Sequence, residues 1–444
     1  MHCSASSTAS KLPRCPKRRD PRHEVMHPWL GRCRRKCETE MVPWRSPQSR
    51  DGASARDLAA VMLVTTTASL PVFLVGTMAV EMRRSLHFGS AALGVAVAFY
   101  YLGAAVSSVP ASRLVERVGG VRVMRVAVLA TAVLLGLLDA ETSSVEVLTV
   151  LLAASGTLSG SMNPATNLFL ARRASPRRQG FAFGVKQSAV PLASVLGGIA
   201  VPAVALNLGW RWAFGFAAVL ALLATAVVPA PRVNMAERRR QHRETPQRQV
   251  RSPALVVLSI GLALGVLASS GCTAFLVSGA VSIGYGKGAA GIIAAVAGLA
   301  AVTTRIGTGA RADRRGGRHF PVVAVMLCLG ALGYILLATG TAATSRPVFA
   351  LGAVAALGMG WGWNGLFNFA VVHSHPDSPA TATGITQVGG RLGGVAGPVL
   401  LGIAVANGSY TVAWLVAGLS AVCGAAAMLI GRHLLLQARA AIGS

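Results

Sequence analysis

The sequence predicts an all-α integral membrane protein with twelve transmembrane helices in two six-helix bundles. Three observations lead to this fold class. Hydrophobic residues make up 53% of the chain and charged residues 13%, about half the charged fraction of a typical soluble domain. The apolar residues come in repeated runs of about 20, the length that crosses a bilayer as a helix. Polar residues of the first half recur in the second half at a nearly constant offset.

The apolar runs define twelve predicted spans, which are separated by short polar loops. An even number of spans places both termini on one side of the membrane, and the basic loops make that side cytoplasmic. The predicted spans are 57–80, 88–110, 121–138, 146–170, 181–206, 211–230, 253–279, 288–309, 320–340, 347–372, 381–406 and 410–431.

The net charge of +27 is distributed unequally between the two sides of the predicted membrane. Of the 42 Lys and Arg residues, 13 precede the first span and 21 lie in the loops and tail of the predicted cytoplasmic side. Five lie in the opposite loops and three inside spans. This asymmetry is typical of a multi-pass protein of the inner cell membrane. The charge therefore indicates orientation, and we expect no nucleic-acid partner.

Residues 1–56 are polar and Arg-rich without periodicity, and predict a disordered basic N-terminal arm. The spacing of His23, His27, Cys33 and Cys37 is compatible with zinc ligation. Structural zinc sites usually lie in recognisable modules, so the chain is expected to carry no metal and no other cofactor. Translation from Met41 is an alternative that would shorten the arm.

Segment 231–252 contains seven Arg and two Glu and predicts a basic cytoplasmic linker. Its attraction to anionic lipid is sufficient to explain its charge. The linker would separate an N-terminal six-helix bundle, 57–230, from a C-terminal bundle, 253–431. Residues 432–444 would then form a cytoplasmic tail.

The two predicted halves share polar positions at offsets of 197, 201 and 200 residues, which indicates an internal repeat. Because each half has six spans, the copies have the same orientation and are related by an axis along the membrane normal. The matching positions are Glu116-Arg117-Val118-Gly119 with Asp313-Arg314-Arg315-Gly316, Asn163 and Asn167 with Asn364 and Asn368, and Gln187 with Gln387.

At these residues the chain resembles the major facilitator superfamily of secondary transporters over about residues 57–431. That family has a loop signature between spans 2 and 3, approximately Gly-x-x-x-Asp-Arg-x-Gly-Arg, and a weaker copy between spans 8 and 9. The second copy is the better match, with Gly309, Asp313, Arg314 and Gly316. The first copy departs from the signature with Ser112, Glu116 and Gly120 at the glycine, aspartate and final basic positions. The run Gly209-Trp210-Arg211-Trp212-Ala213-Phe214 is similar to the branch that contains cyanate and nitrate permeases.

The resemblance implies a monomer in which two bundles alternate around a central site. A carboxylate at the cytoplasmic end of one helix can bind the positive N-terminal end of a neighbour. Such a contact exists in one state only and can set the gating equilibrium. Plain marking of topology by the arginines is the alternative reading. The predicted gating residues are Glu116, Arg117, Gly119, Gly309, Asp313, Arg314 and Gly316.

Three cations lie inside predicted spans, whereas no Asp or Glu lies in the central part of any span. Arg391 lies near the midplane, because it comes roughly 17 Å along the helix axis from residue 380. Uncompensated positive charge in a membrane cavity favours an anionic substrate. Lys186 could instead extend its stem to the cytoplasmic surface, and Arg305 could serve the gate as easily as the pocket.

The paired amides are further candidates for substrate contact. Two side chains at i and i+4 share one helix face, and a face with two amides in lipid is unfavourable, so both pairs should point inward. Interhelical hydrogen bonding is the alternative. These candidates are Asn163, Asn167, Asn364, Asn368, Gln187 and Gln387.

The expected function is alternating-access secondary transport of a small organic or inorganic anion. An enzyme is not expected, since the spans contain no metal-ligand cluster, nucleophile–base pair or phosphate loop. The alternative is a proton-coupled multidrug efflux antiporter. Such exporters share a span 5 signature, Gly-x-x-x-Gly-Pro-x-x-Gly-Gly, of which only the final pair Gly197-Gly198 is present. Proton coupling also lacks an obvious carboxylate carrier, and a non-transporting receptor remains a further alternative.

Overall fold

The computed structural model describes residues 54–171, 173, 179–229, 253–312, 319–375 and 379–443. Every regular element in these ranges is a helix. The predicted N-terminal arm with its His and Cys residues and the predicted linker lie outside them. So do Asp313, Arg314 and Gly316 of the second loop signature.

The helices are numbered in chain order. The sixth helix, Gln179–Ala200, continues through a π-helical segment, Val201–Ala205, into one further turn, Leu206–Leu208. The helices are α1 Ala55–Thr77, α2 Ala79–Ser85, α3 Ser90–Val118, α4 Gly120–Ala140, α5 Val145–Ala171, α6 Gln179–Ala200, α7 Trp210–Val227, α8 Pro253–Ser282, α9 Lys287–Ala312, α10 His319–Ala342, α11 Arg346–Gly358, α12 Asn364–Ser374, α13 Pro379–Ala406 and α14 Tyr410–Gly443.

Eleven of the helices in the described ranges are long and apolar enough to cross a membrane, with α6 taken together with its continuation. This confirms the predicted all-helical membrane architecture. The outer surface carries large apolar side chains, as lipid contact requires. On α3 these recur at helical spacing, at Val95, Phe99, Leu102, Val106 and Val109.

The prediction of a continuous helix over 347–372 is wrong. Helix α11 ends at Gly358 and α12 begins at Asn364, with Met359-Gly360-Trp361-Gly362-Trp363 between them. Glycine is a weak helix former, and Gly360 packs directly on Gly330 of α10. The indole Nε1 of Trp363 donates to the Gly360 carbonyl at 2.8 Å. Hydropathy does not reveal this break, because the residues of the turn are themselves apolar.

Helix α1 begins with a capping box, which fixes an acidic side chain in its first turn. The Ser54 hydroxyl accepts a hydrogen bond from the Asp57 amide at 3.2 Å, and the Asp57 carboxylate accepts one from the Ser54 amide at 3.3 Å. Both bonds satisfy amides that a helix start leaves unpaired. The Asp57 carboxylate also forms an ion pair with Arg173.

Helices α3 and α5 approach so closely that their glycines touch the opposite backbone. A Cβ on Gly156 of α5 would overlap the Tyr100 carbonyl oxygen of α3. Close approach through small residues is the usual way in which membrane helices associate. It places Tyr100 beside α5, on which Asn163 and Asn167 lie.

The first and second halves of the chain also contact each other through glycines and one ion pair. Helix α3 packs against α13 where Gly94 meets the Pro398 backbone. Helix α6 packs against α9, where a Cβ on Gly198 would lie 2.5 Å from the Gly291 carbonyl oxygen. At the ends of α2 and α9, the Lys287 ammonium lies 2.5 Å from a Glu81 carboxylate oxygen.

The Gly156 contact leads to a prediction about stability. Gly156→Ala should lower the melting temperature of the detergent-purified protein, because the methyl group forces α3 and α5 apart at a cost of about 1–3 kcal/mol. Gly136→Ala is the matched control, since a Cβ on Gly136 meets no atom within 4 Å. Equal melting temperatures for the two variants would show that α3 and α5 do not pack as described.

Candidate functional site

Four of the six predicted amides form one hydrogen-bonded line. The Gln387 amide donates to Asn368 at 2.9 Å, and the Asn368 amide donates to Asn364 at 3.2 Å. From the other half of the chain, the Gln187 amide donates to the same Asn364 oxygen at 3.4 Å. The structure therefore brings together four residues that the sequence places up to 200 positions apart.

Lys186 is held between the two amides of α5. Its ammonium donates to the Asn163 side-chain oxygen at 2.9 Å and to the Asn167 oxygen at 2.5 Å. Only 3% of the lysine is exposed. Among the described residues no carboxylate pairs with it. The side chain therefore points into the bundle rather than along the protein surface.

Arg305 ties three elements together through backbone carbonyls. One guanidinium nitrogen of this α9 residue donates to the Gln187 carbonyl of α6, and another donates to the Trp361 carbonyl at 2.9 Å. The guanidinium also lies over the Trp361 ring, 5.1 Å from its centroid. The residue is 2% exposed, and its Nε has no partner in the described part of the chain. Arg305 thus binds a carbonyl within the turn between α11 and α12.

Arg391 differs from the other two cations because the protein leaves its guanidinium unpaired. It lies on α13 one turn after Gln387 and is partly buried. Within the described ranges it makes no hydrogen bond and no ion pair. Arg391 lies within electrostatic range of Tyr100, Tyr101 and Lys186. The five N–H donors of a guanidinium therefore have no acceptor in the described part of the chain.

The tyrosines of α3 connect Arg391 to the polar face of α5. The Tyr101 ring packs on α13, because a Cβ on Gly394 would lie 2.6 Å from it. The Tyr100 hydroxyl donates to the Ala68 carbonyl of α1 at 2.9 Å and lies near Ser159. Ser159 precedes Asn163 by one helical turn, so the polar face of α5 runs from Tyr100 towards Lys186.

Sequence reasoning missed Ser159 and Tyr101. The spacing of four residues through Ser159, Asn163 and Asn167 is visible in the sequence and extends the polar face by one turn. Tyr101 gives no comparable signal, because an aromatic residue within an apolar run usually packs in the core.

The first predicted gating loop is a tight turn in the structure. Glu116 and Arg117 are exposed at the end of α3 and form no ion pair within the described residues. Gly119 has φ of +95° and joins α3 directly to α4, a conformation that glycine adopts without strain. A Cβ on Gly120 would lie 2.9 Å from the Ala165 carbonyl oxygen of α5. This glycine at the usual basic position thus allows the turn to pack closely.

Gly309 of the second predicted gating loop lies between the two halves. Gly309 of α9 faces Gly184 of α6, since a Cβ on Gly184 would lie 3.5 Å from the Gly309 Cα and 3.0 Å from the Arg305 carbonyl oxygen. Its contact is therefore with backbone and not with a charged side chain.

Comparison with known proteins identifies the family. Residues 61–398 match the model of the Major Facilitator Superfamily. The chain belongs to this superfamily. Members of this superfamily are membrane transporters and not enzymes, which confirms the predicted family and the prediction that the chain is not an enzyme.

Two kinds of curated relative resemble the chain. An uncharacterized MFS-type transporter from Mycobacterium tuberculosis is 25% identical over 276 residues. That match covers 61% of this chain and 61% of the relative, so the chain spans less than two thirds of that protein's length. A protein named "Putative tartrate transporter" from Agrobacterium vitis is 26% identical over 385 residues, which cover 79% of this chain and 84% of that protein.

Solved structures share the fold. A mutant of the nucleoside transporter NupG has a TM-score of 0.66 at 13% identity and covers 85% of this chain and 99% of its own. An inward-facing, unoccupied bacterial homolog of the human lysosomal transporter Spinster has a TM-score of 0.61 at 15% identity, covering 87% and 98%. At these identities the likeness concerns the fold alone.

Arg305 is bound by carbonyls and Arg391 is not, which leads to a second prediction. Arg305→Met should lower the melting temperature of the ligand-free protein, because the Gln187 and Trp361 carbonyls lose their donors, at about 1–3 kcal/mol for each group left unpaired. Arg391→Met should leave it unchanged or raise it, because no protein partner is lost. The reverse order of stability would exclude the roles described for these residues.

Proposed function

We propose that this superfamily member is an alternating-access transporter of a small anion, and that Arg391 is the main charge partner of the substrate. The observation that carries the proposal is the position of Arg391. It is a partly buried cation within a membrane-spanning helix, without a carboxylate or carbonyl partner in the described residues. An intramembrane charge of this kind is costly and typically belongs to a transport pathway.

The charge balance of the interior supports an anionic substrate. Lys186, Arg305 and Arg391 all lie within spanning helices, and in the described part of the chain none of them pairs with a carboxylate. The amide line runs from Gln187, next to Lys186, to Gln387, one turn before Arg391, so both cations border the same polar region. An anion that binds between two like charges reduces their repulsion, whereas a cationic drug would increase it.

The hydrogen-bonding groups favour a carboxylate that carries hydroxyl groups. A guanidinium can bind a carboxylate with two parallel hydrogen bonds. The nearby Tyr100, Tyr101 and Ser159 hydroxyls and the amides of α5 can pair with substrate hydroxyls. The relative that is named a tartrate transporter, at 26% identity, fits this choice because tartrate is a hydroxy acid. We therefore select a small hydroxy acid as the first substrate to test.

The proposed architecture counts α11, its following turn and α12 as one crossing. Together with the eleven long helices this gives twelve crossings, with both termini cytoplasmic and six crossings in each half. The basic loops support this orientation through the positive-inside rule. We place the protein in the inner cell membrane, where it would act as a monomer.

Alternating access requires contacts that exist in one state only. The Glu81–Lys287 ion pair joins α2 of the first half to α9 of the second half. In the proposed orientation it lies at the outer end of the bundle. We assign it to the closed outer gate, opposite the cytoplasmic loops that contain Glu116 and Asp313.

Uptake by proteoliposomes tests the role of Arg391. Wild-type protein should accumulate radiolabelled tartrate, and Arg391→Met should reduce uptake roughly 10- to 100-fold, the loss expected for a charged hydrogen bond. Arg391→Lys should retain part of the activity, because it keeps the charge and loses the bidentate geometry. Arg113→Met removes an exposed arginine and serves as the control.

The same preparation distinguishes anion transport from multidrug efflux. Malate, nitrate and cyanate complete the anion panel, and ethidium represents lipophilic cations. Transport of ethidium but of no anion, or anion uptake that is equal in wild type and Arg391→Met, would overturn the proposed function.

Cross-linking tests the outer gate. With native cysteines replaced, Glu81→Cys and Lys287→Cys should react with a short reversible bifunctional thiol reagent, and uptake should stop until the link is reduced, because the two halves can no longer separate there. The matched control is Tyr285→Cys with Arg346→Cys, which links two segments of the second half where the Tyr285 hydroxyl donates to the Arg346 carbonyl at 2.6 Å. Undiminished uptake through the Glu81–Lys287 link would contradict the gate assignment.

A further inference from the structure

We propose that Lys186 is the proton carrier of this transporter, so that one proton is bound and released together with the anion. This inference rests on the proposed anion transport and extends it to proton–anion symport. Its basis is a buried lysine that is held by two neutral amide acceptors. The amide line connects the next residue, Gln187, to Gln387, one turn before the unpaired Arg391.

Lysine is the suitable cation for this role. A guanidinium cannot be deprotonated in a protein, so Arg305 and Arg391 are fixed charges. A buried lysine amine can release its proton. Among the charged side chains that the structure places in the middle of spanning helices, Lys186 is therefore the one that can change its charge during a transport cycle.

The surroundings of Lys186 contain no carboxylate that would hold its proton permanently. Asp57 is paired with Arg173 and bound to Ser54. The Thr66 hydroxyl donates to the carbonyl of Ala189, three residues after Lys186, so Asp57 lies roughly 9 Å along α1 from the level of Lys186. Glu146 lies at the far end of α5. The charged and titratable side chains on α1, α5, α9 and α12, which pack against α6, and on α13 are Arg56, Asp57, Glu146, Lys287, Arg305, Arg311, His373 and Arg391.

The hydrogen bonds of Lys186 suit both of its protonation states. A neutral amine has two N–H donors, which match the Asn163 and Asn167 oxygens at 2.9 and 2.5 Å. Protonation uses the lone pair of the amine to form a third N–H bond. The two amides therefore hold Nζ in place in either state, and the added donor is free to bind the anion together with Arg391.

Electrostatics then links the two ligands. An anion beside Lys186 and Arg391 offsets the repulsion between the two cations and favours the ammonium form of Lys186. By linkage, a protonated Lys186 must favour anion binding to the same degree. Anion affinity should therefore rise as the pH falls. The proton comes from water on the side where the site is open and returns to water when the anion leaves.

Calorimetry on the full-length protein in lipid nanodiscs tests the linkage. Tartrate, malate, nitrate and cyanate are titrated at one pH in buffers with different enthalpies of ionisation, and the dependence of the binding heat on the buffer gives the protons taken up per anion. Wild type should take up a measurable fraction of one proton. Lys186→Arg should bind the anion within about tenfold of wild-type affinity and take up none.

A second variant keeps the test decisive if Lys186→Arg does not fold. Asn167→Asp is nearly isosteric and places a carboxylate on Lys186 Nζ, so the lysine should stay charged and proton uptake should again be lost. His373→Gln is the control, because it removes another titratable group on a helix that packs against α6 and should leave proton uptake unchanged.

The outcomes separate this inference from the proposed function. Anion binding by wild type without proton uptake overturns the proton carrier and leaves anion transport standing. Proton uptake that persists in Lys186→Arg or Asn167→Asp also overturns it. Failure of every anion in the panel to bind overturns both the proposed function and the inference that depends on it.

Discussion

The need to stabilise positive charge within an apolar helix bundle determines how the polar residues in the interior of this protein are arranged. Each buried cation must find oxygen atoms, and the described helices supply them in different ways. Arg305 uses backbone carbonyls at Gln187 and Trp361, and Lys186 uses the amides of α5. Arg391 has no such partner in the described ranges. Arg305 and Lys186 therefore bind protein oxygen atoms, whereas the charge of Arg391 is available to a ligand.

The internal repeat supplies equivalent residues that serve different purposes in the two halves. Asn163 and Asn167 bind Lys186, whereas Asn364 and Asn368 bind the glutamines. The position of Lys186 is Thr386 in the second half, a buried residue whose hydroxyl bonds to its own helix. The asymmetry therefore arises from one substitution beside otherwise matching amides, and it places the titratable cation in the first half only.

Much of the fold could be predicted from the sequence, because membrane helices are specified by length and hydropathy and need no knowledge of tertiary contacts. The spacing of the Asn pairs and their repetition also identified residues that the structure joins. The break between α11 and α12 could not be predicted, since Met359-Gly360-Trp361-Gly362-Trp363 is apolar and the turn depends on packing against Gly330 and Arg305. Depth along the helix already favoured Arg391 over Lys186 and Arg305, but the hydrogen-bond partners of these cations were equally hidden. They depend on which carbonyls face each guanidinium, and sequence does not contain that information.

The tie between Arg305 and Gln187 has a mechanical consequence. It joins α9 to α6 deep in the bundle, whereas the Glu81–Lys287 pair joins the same two halves at the ends of their helices. When two rigid bodies rotate relative to each other, atoms near the rotation axis move least and atoms far from it move most. For the proposed rocking motion, the bond between Arg305 and Gln187 can therefore persist through the whole transport cycle. The Glu81–Lys287 pair, farther from the axis, opens and closes.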